Sequence, residues 1–136
     1  MALVDDLVVL IVEDDEDSRE LLEMFLTDHG ARVCVAGTAA EARAKIRTQI
    51  PDVILTDITL PDEDGFAFVA GLRDDPFTRH VPAIALTGRV DSASRHRALT
   101  AGFQHFLSKP LDSRSLPATI REVVEAAKAR DGGQGA

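Results

Sequence analysis

Short apolar runs alternate along this chain with stretches whose apolar residues recur at helical spacing. The runs are Leu7–Val12, Val33–Val35, Val53–Leu55, Ala83–Leu86 and Phe106–Leu107. The first and third have no polar residue interleaved. Strands covered on both faces look like this, and such strands belong to parallel sheets layered between helices. Between the runs, Leu21, Leu22, Phe25 and Leu26 form one helical stripe, stopped by Gly30. Thr38 to Glu41 reads Thr-x-x-Glu, a capping box ahead of Ala42 and Ile46. Phe66, Val69 and Leu72 form a third stripe that ends before Pro76, and Ala98 and Leu99 precede Gly102, a C-terminal stop. Leu116, Ile120, Val123, Val124 and Ala127 follow an i, i+4, i+7, i+8, i+11 pattern. Pro117 is tolerated only in a first turn, so this last helix is predicted to begin near Ser113–Leu116.

The alternation predicts an α/β protein, (βα)5, with a doubly wound parallel five-stranded sheet. One domain is expected over residues 5–130. The tail, residues 131–136, is expected to be disordered, being too polar and glycine-rich to pack.

Composition narrows the function classes. A chain of 136 residues can bury a self-sufficient core. Fifteen basic against twenty-three acidic side chains leave a net charge of −8. That charge argues against a sequence-independent grip on nucleic acid and against an anionic membrane surface. The single cysteine, Cys34, excludes an internal disulfide and a multi-cysteine zinc site, and its apolar setting predicts inert packing. Asp5 and Asp6 stand where a signal peptide would be basic, and no apolar run approaches membrane-spanning length, so a cytoplasmic location is expected.

Ligands of open parallel sheets bind beyond the carboxyl ends of the strands. There the chain puts Glu13, Asp14 and Asp15 after the first strand, Asp57 at the end of the third, Thr87 at the end of the fourth and Lys109 after the fifth. Each has a plainer role. Acids before a helix cap it, an Asp ending a strand is a turn residue, a Thr suits a strand, and a Lys is usually solvated. Their convergence from four strand ends onto one rim favours chemistry. Carboxylates gathered there repel one another unless a cation sits among them, and oxygen-only ligands suit Mg2+. A carboxylate beside Mg2+, with an ammonium and a hydroxyl opposite, is equipped to attack a phosphoryl group and become an acyl phosphate.

Val12-Glu-Asp-Asp15, Leu55-Thr-Asp-Ile-Thr-Leu-Pro-Asp-Glu-Asp-Gly65, Ala85-Leu-Thr-Gly88 and Phe106-Leu-Ser-Lys-Pro110 resemble the response-regulator receiver domains of two-component signalling, of the chemotaxis single-domain type. The resemblance spans about residues 7 to 128. It implies the flavodoxin-like strand order 2-1-3-4-5 and makes Asp57 the phosphoacceptor. It implies Mg2+ held by Glu13, Asp14, Asp57 and the backbone carbonyl of Thr59, with Glu13 acting through water. Thr87 and Lys109 would contact the phosphoryl group, Thr87 and Phe106 would form the switch, and Lys109-Pro110 would be a cis peptide. Thr59 and Arg89 would set the lifetime of the phosphorylated state. The implied partners are a histidine kinase or phosphotransfer protein upstream and an unknown protein downstream, read through the face of helix 4, strand 5 and helix 5. Such a domain promotes only its own phosphorylation and dephosphorylation.

Other residues are expected to play plainer parts. Asp62, Glu63 and Asp64 lack the alternating ligands of a calcium loop, and Gly65 is expected to serve the turn into the third helix. His29, His80, His96 and His105 are scattered and predicted to be surface or packing groups, and Arg89, Arg95 and Arg97 a solvated face. A stand-alone receiver is expected, because only a short glycine-rich tail follows the last helix. The alternatives are a receiver module cut from a hybrid kinase or multidomain regulator, an unphosphorylated interaction module, and an aspartyl-phosphate small-molecule phosphatase. The last wants Asp-x-Asp directly after the first strand, and counted from Asp14 the second position is Glu16.

Overall fold

A computed structural model describes residues 3–88 and 91–135. The elements alternate as β1 (Val8–Val12), α1 (Glu16–Asp28), β2 (Arg32–Ala36), α2 (Ala39–Thr48), β3 (Val53–Asp57), α3 (Gly65–Asp74), β4 (Ala83–Thr87), α4 (Ser92–Ala101), β5 (His105–Ser108) and α5 (Leu116–Gly135). All strand pairs are parallel and the order is β2-β1-β3-β4-β5. The five strands and their order match the expectation.

Burial follows position in the sheet. The central strands β1, β3 and β4 are covered on both faces, whereas the edge strands β2 and β5 are only partly covered. Side chains alternate between two cores. Val9, Ile11, Leu55 and Leu86 face Leu26 of α1 and Ile120 and Val124 of α5. Leu10, Val12, Ile54 and Ala85 face Ile46, Phe68, Val69 and Ala98 of α2, α3 and α4. Among the described residues no helix is long and apolar enough to cross a membrane.

Helix ends are set by local chemistry. Asp15, Thr38, Asp64 and Asp91 each accept a backbone N–H of the first turn that follows them. The capping box forms with one difference: the Glu41 carboxylate accepts from the N–H of Gly37, one residue before the cap. α4 stops at Gly102, whose φ of +108° suits glycine, and the Arg73 side chain fills the space a Cβ would need, 2.8 Å away.

Two expectations are corrected. Leu21 belongs to the apolar stripe of α1 by spacing, yet it is 67% exposed, and only Leu26 of that stripe is fully buried. Leu21 instead lines an open groove between α1 and the segment after β5, with Leu22, Phe25 and Leu111. The backbone of residues 131–135 continues α5 where a tail was expected. Extending an existing helix needs no new nucleus, which offsets part of the cost of its glycines.

Candidate functional site

The strand order reverses beside β1. The chain leaves β1 toward β2 on one side and reaches β3, β4 and β5 on the other. The carboxyl ends of β1 and β3 therefore border an open crevice. Pairing of Val12 with Thr56 brings Glu13 level with Asp57, and Asp57 in turn pairs with Leu86 beside Thr87. Each of Glu13, Asp14 and Asp57 can offer one carboxylate oxygen, all within 4.8 Å of one another.

These acids differ in environment. Asp14 is exposed, Asp57 is 13% exposed, and Glu13 is 1% exposed. Glu13 Oε2 accepts from the N–H of Asp15 at 3.3 Å, and Arg19 on α1 donates to the Glu13 carbonyl at 2.9 Å. Burial, joined by the charge of Asp57, pushes the Glu13 carboxyl above its ordinary value, although Lys109 and the Asp15 amide pull the other way. Asp15 turns away from the cluster. Its carboxylate accepts from the N–H and hydroxyl of Ser18, which hold its pKa down.

Lys109 ties the two strands' acids together. Its Nζ donates to Glu13 Oε1 at 2.6 Å and to Asp57 Oδ2 at 2.9 Å. Burial works against the ammonium, but the two carboxylates outweigh it and raise its pKa. The backbone N–H of Lys109 bonds the Thr87 carbonyl at 2.8 Å, and the Lys109-Pro110 peptide is cis. The other oxygen of Asp57, Oδ1, accepts from the N–H of Thr59 at 3.0 Å. Thr87 is buried at the end of β4, and Phe106 in β5 is half-buried opposite Ala85. Arg89 lies outside the described residues.

The structure brings together Glu13, Asp14, Asp57, Thr59 and Lys109, with Thr87 one strand away. It also assigns jobs that spacing alone misses. Asp62 caps α2 by accepting from Ala39 and Ala40, Glu63 pairs with Arg43 at 2.6 Å, and Asp64 pairs with Arg97 at 2.8 Å. These three consecutive acids therefore fasten the β3–α3 loop to its neighbours. Gly65 is needed for space and not for an unusual φ: a Cβ there would lie 2.6 Å from the Asp57 carbonyl oxygen and the Ile58 Cα. Arg95 and Arg97 are not merely solvated, since each guanidinium lies over a phenylalanine ring. A cation-π partner distant in sequence leaves no periodic signal.

Three carboxylates held against one ammonium leave the crevice net negative. A donor set of carboxylate oxygens without sulfur or imidazole fits a hard divalent cation such as Mg2+. Asp57 combines a restrained carboxylate with access from solvent, as a nucleophile requires.

A family model described as the response regulator receiver domain matches residues 9–121. A protein of Leptolyngbya boryana, described as an uncharacterized 14.6 kDa protein in the sodA1 3' region, is 37% identical over 114 residues, or 84% of this chain and 87% of that protein. Response regulator PleD of Caulobacter vibrioides is 36% identical over 115 residues, covering 85% of this chain and 25% of PleD. Several curated relatives are longer, and the chain spans 25% to 53% of their length. The crystal structure of the receiver domain of sensor histidine kinase PA1611 from Pseudomonas aeruginosa PAO1, with a magnesium ion coordinated in its active site cleft, matches with a TM-score of 0.81. It is 29% identical, and the match covers 88% of this chain and 98% of that one.

Proposed function

This chain belongs to the response regulator receiver domain family, and from that premise we propose that Asp57 accepts a phosphoryl group from the phosphohistidine of a histidine kinase or phosphotransfer protein. The observation that carries the reading is the Asp57 carboxylate itself. One oxygen is held by Lys109 and the other by the Thr59 amide, within reach of two further acids and open to solvent.

In the transfer, a carboxylate oxygen of Asp57 forms the new O–P bond while the P–N bond breaks. Its electron pair returns to the imidazole nitrogen, which takes up a proton, and an acyl phosphate remains on the chain. Lys109, already between Glu13 and Asp57, pairs with the incoming phosphoryl oxygens. Glu13, Asp14, Asp57 and the Thr59 carbonyl would hold Mg2+, which when bound neutralises charge on the transferred group. An open groove of about 500 Å3 lined by Leu21, Leu22, Phe25, Leu111 and Leu116 adjoins Glu13 and Lys109. It gives the donor's surface an apolar strip beside the acceptor, with Leu21 exposed on it.

The phosphoryl group adds about two negative charges and three acceptor oxygens. Thr87 donates a hydrogen bond to it, and the ring of Phe106 turns inward in response. The change is then read by a protein partner at the face of α4, β5 and α5. Thr59 and Arg89 set the lifetime of the acyl phosphate. The domain acts in the cytoplasm as a signalling acceptor that promotes only its own phosphorylation and dephosphorylation, without turnover of a separate substrate.

The test is labelling by acetyl phosphate with Mg2+. Wild type takes label that hydroxylamine removes, and Asp57→Asn takes none. Label that survives hydroxylamine, or that maps to Ser18 or Thr56, overturns the proposal.

A further inference from the structure

α4 buries only one side chain, Ala98, so apolar packing does little to fix the helix on the sheet. Arginine–aromatic contacts instead tie it to its two neighbours, α3 and β5. Arg97 lies over the Phe66 ring, 4.3 Å from its centroid, and pairs with Asp64 at 2.8 Å. Arg95 lies over the ring of Phe106, 5.7 Å from its centroid. Phe106 is half-buried against the core shared by α2, α3 and α4. A guanidinium over a ring face is attracted by the ring's quadrupole and favours the ring orientation that keeps that face presented.

The C-terminal end of α4 is held differently. Arg73, largely buried, donates to the carbonyl of Gly102 at 3.0 Å and to that of Val81 at 2.7 Å. That end of the helix is pinned by backbone hydrogen bonds. The Arg95 end is held through a side-chain stack that an aromatic rotation would undo.

We propose that Arg95 is a positioning residue for the switch, its guanidinium latching the Phe106 ring at the α4–β5 surface against inward rotation. The inference rests on the reading of Phe106 as the element that responds to phosphorylation of Asp57. Rotation of the ring breaks the stack, so the stack opposes the active conformer before any phosphoryl group arrives. An exposed contact of this kind biases a two-state equilibrium by roughly two- to five-fold. Ligand affinity for the minor state scales with its population, so the latch lowers apparent affinity for a phosphoryl mimic by the same factor.

The experiment uses the full chain with carbon-13-labelled phenylalanine, titrated with beryllofluoride in Mg2+ and followed by NMR. Arg95→Met, which keeps the stem and removes the cation, is expected to move the Phe106 ring signals toward their beryllofluoride-bound positions before any activator is added. It should also tighten apparent beryllofluoride affinity two- to five-fold. Arg95→Lys retains a cation and should stay near wild type. In a Phe106→Leu background, Arg95→Met should leave the affinity unchanged, which isolates the pair. The latch is overturned by unchanged affinity in Arg95→Met, by equal effects of Met and Lys, or by an effect that persists without the ring. Failure of the wild type to take up beryllofluoride is a separate result that overturns the receiver reading, and the latch with it.

Discussion

Replacing Lys109 by Met removes the one cation that joins Glu13 to Asp57 while keeping the length and packing of the stem. Two charge-assisted hydrogen bonds are lost, at 2.6 and 2.9 Å. Bonds to charged groups are worth about 1.5–3 kcal/mol each. They do not add here, because one ammonium serves both carboxylates. A third of the Lys109 side chain is exposed, so solvent screening trims them further. Against this, the carboxyl of Glu13 is left buried without its lysine, which raises the cost. The expected net loss in EDTA at pH 7 is about 2 kcal/mol, or about 1 M in the urea midpoint.

The pH dependence supplies a second reading of the same variant. Glu13 already titrates above its ordinary value of 4.5, so in the window above that value the folded state binds more protons than the unfolded one. Stability contributed by this group is therefore present at low pH and lost as pH rises through its folded pKa. Removing Lys109 takes away a lowering influence, which moves that loss to higher pH. The variant should thus recover part of its deficit as the pH is lowered from 7 toward the ordinary value of Glu13. Mg2+ should recover part of it at pH 7, by binding only the folded carboxylate cluster. The chain has no Trp and no Tyr, so unfolding is followed by far-ultraviolet circular dichroism. A deficit below about 0.5 kcal/mol in EDTA, or one that neither Mg2+ nor acid reduces, would refute the argument that Lys109 offsets carboxylate crowding.

Gly65→Ala should destabilise by about 1–3 kcal/mol in thermal unfolding, because its Cβ meets backbone atoms at 2.6 Å; a change under a few tenths would mean the β3–α3 loop yields freely. Thr87→Ala should leave Asp57 labelling largely intact, yet confine beryllofluoride-induced NMR shifts to the neighbourhood of Asp57. Shifts spreading to Phe106 as in wild type would exclude Thr87 as the transmitter. Thr59→Asn should shorten the half-life of phosphorylated Asp57, since a carboxamide can orient the attacking water and the exposed Thr59 side chain has none; an unchanged or longer half-life contradicts this.

Much was legible from residue order alone because its causes are local or strictly periodic. Uninterrupted apolar runs at Leu7–Val12 and Val53–Leu55 correspond to β1 and β3, covered on both faces. Asp15 and Thr38 cap the helices that follow them, and Gly102 ends α4. In a parallel sheet every strand end falls on one rim, so residues directly after strands meet there whatever the loops do. That is why residue order alone groups Glu13, Asp14, Asp57 and Lys109.

Tertiary structure decided what depends on partners far apart in the chain. Only strand register makes Lys109 a bridge between Glu13 and Asp57, and only the approach of α3 to the end of β3 makes Gly65 a matter of space. The arginines of α4 carried no periodic signal, and their rings lie on α3 and β5. Leu21 fits the apolar stripe of α1 by period, but α1 and the segment after β5 leave an open groove at its position. Hydrophobic periodicity records which face a helix turns inward; how far the neighbouring element extends to cover that face is a property of the assembled fold.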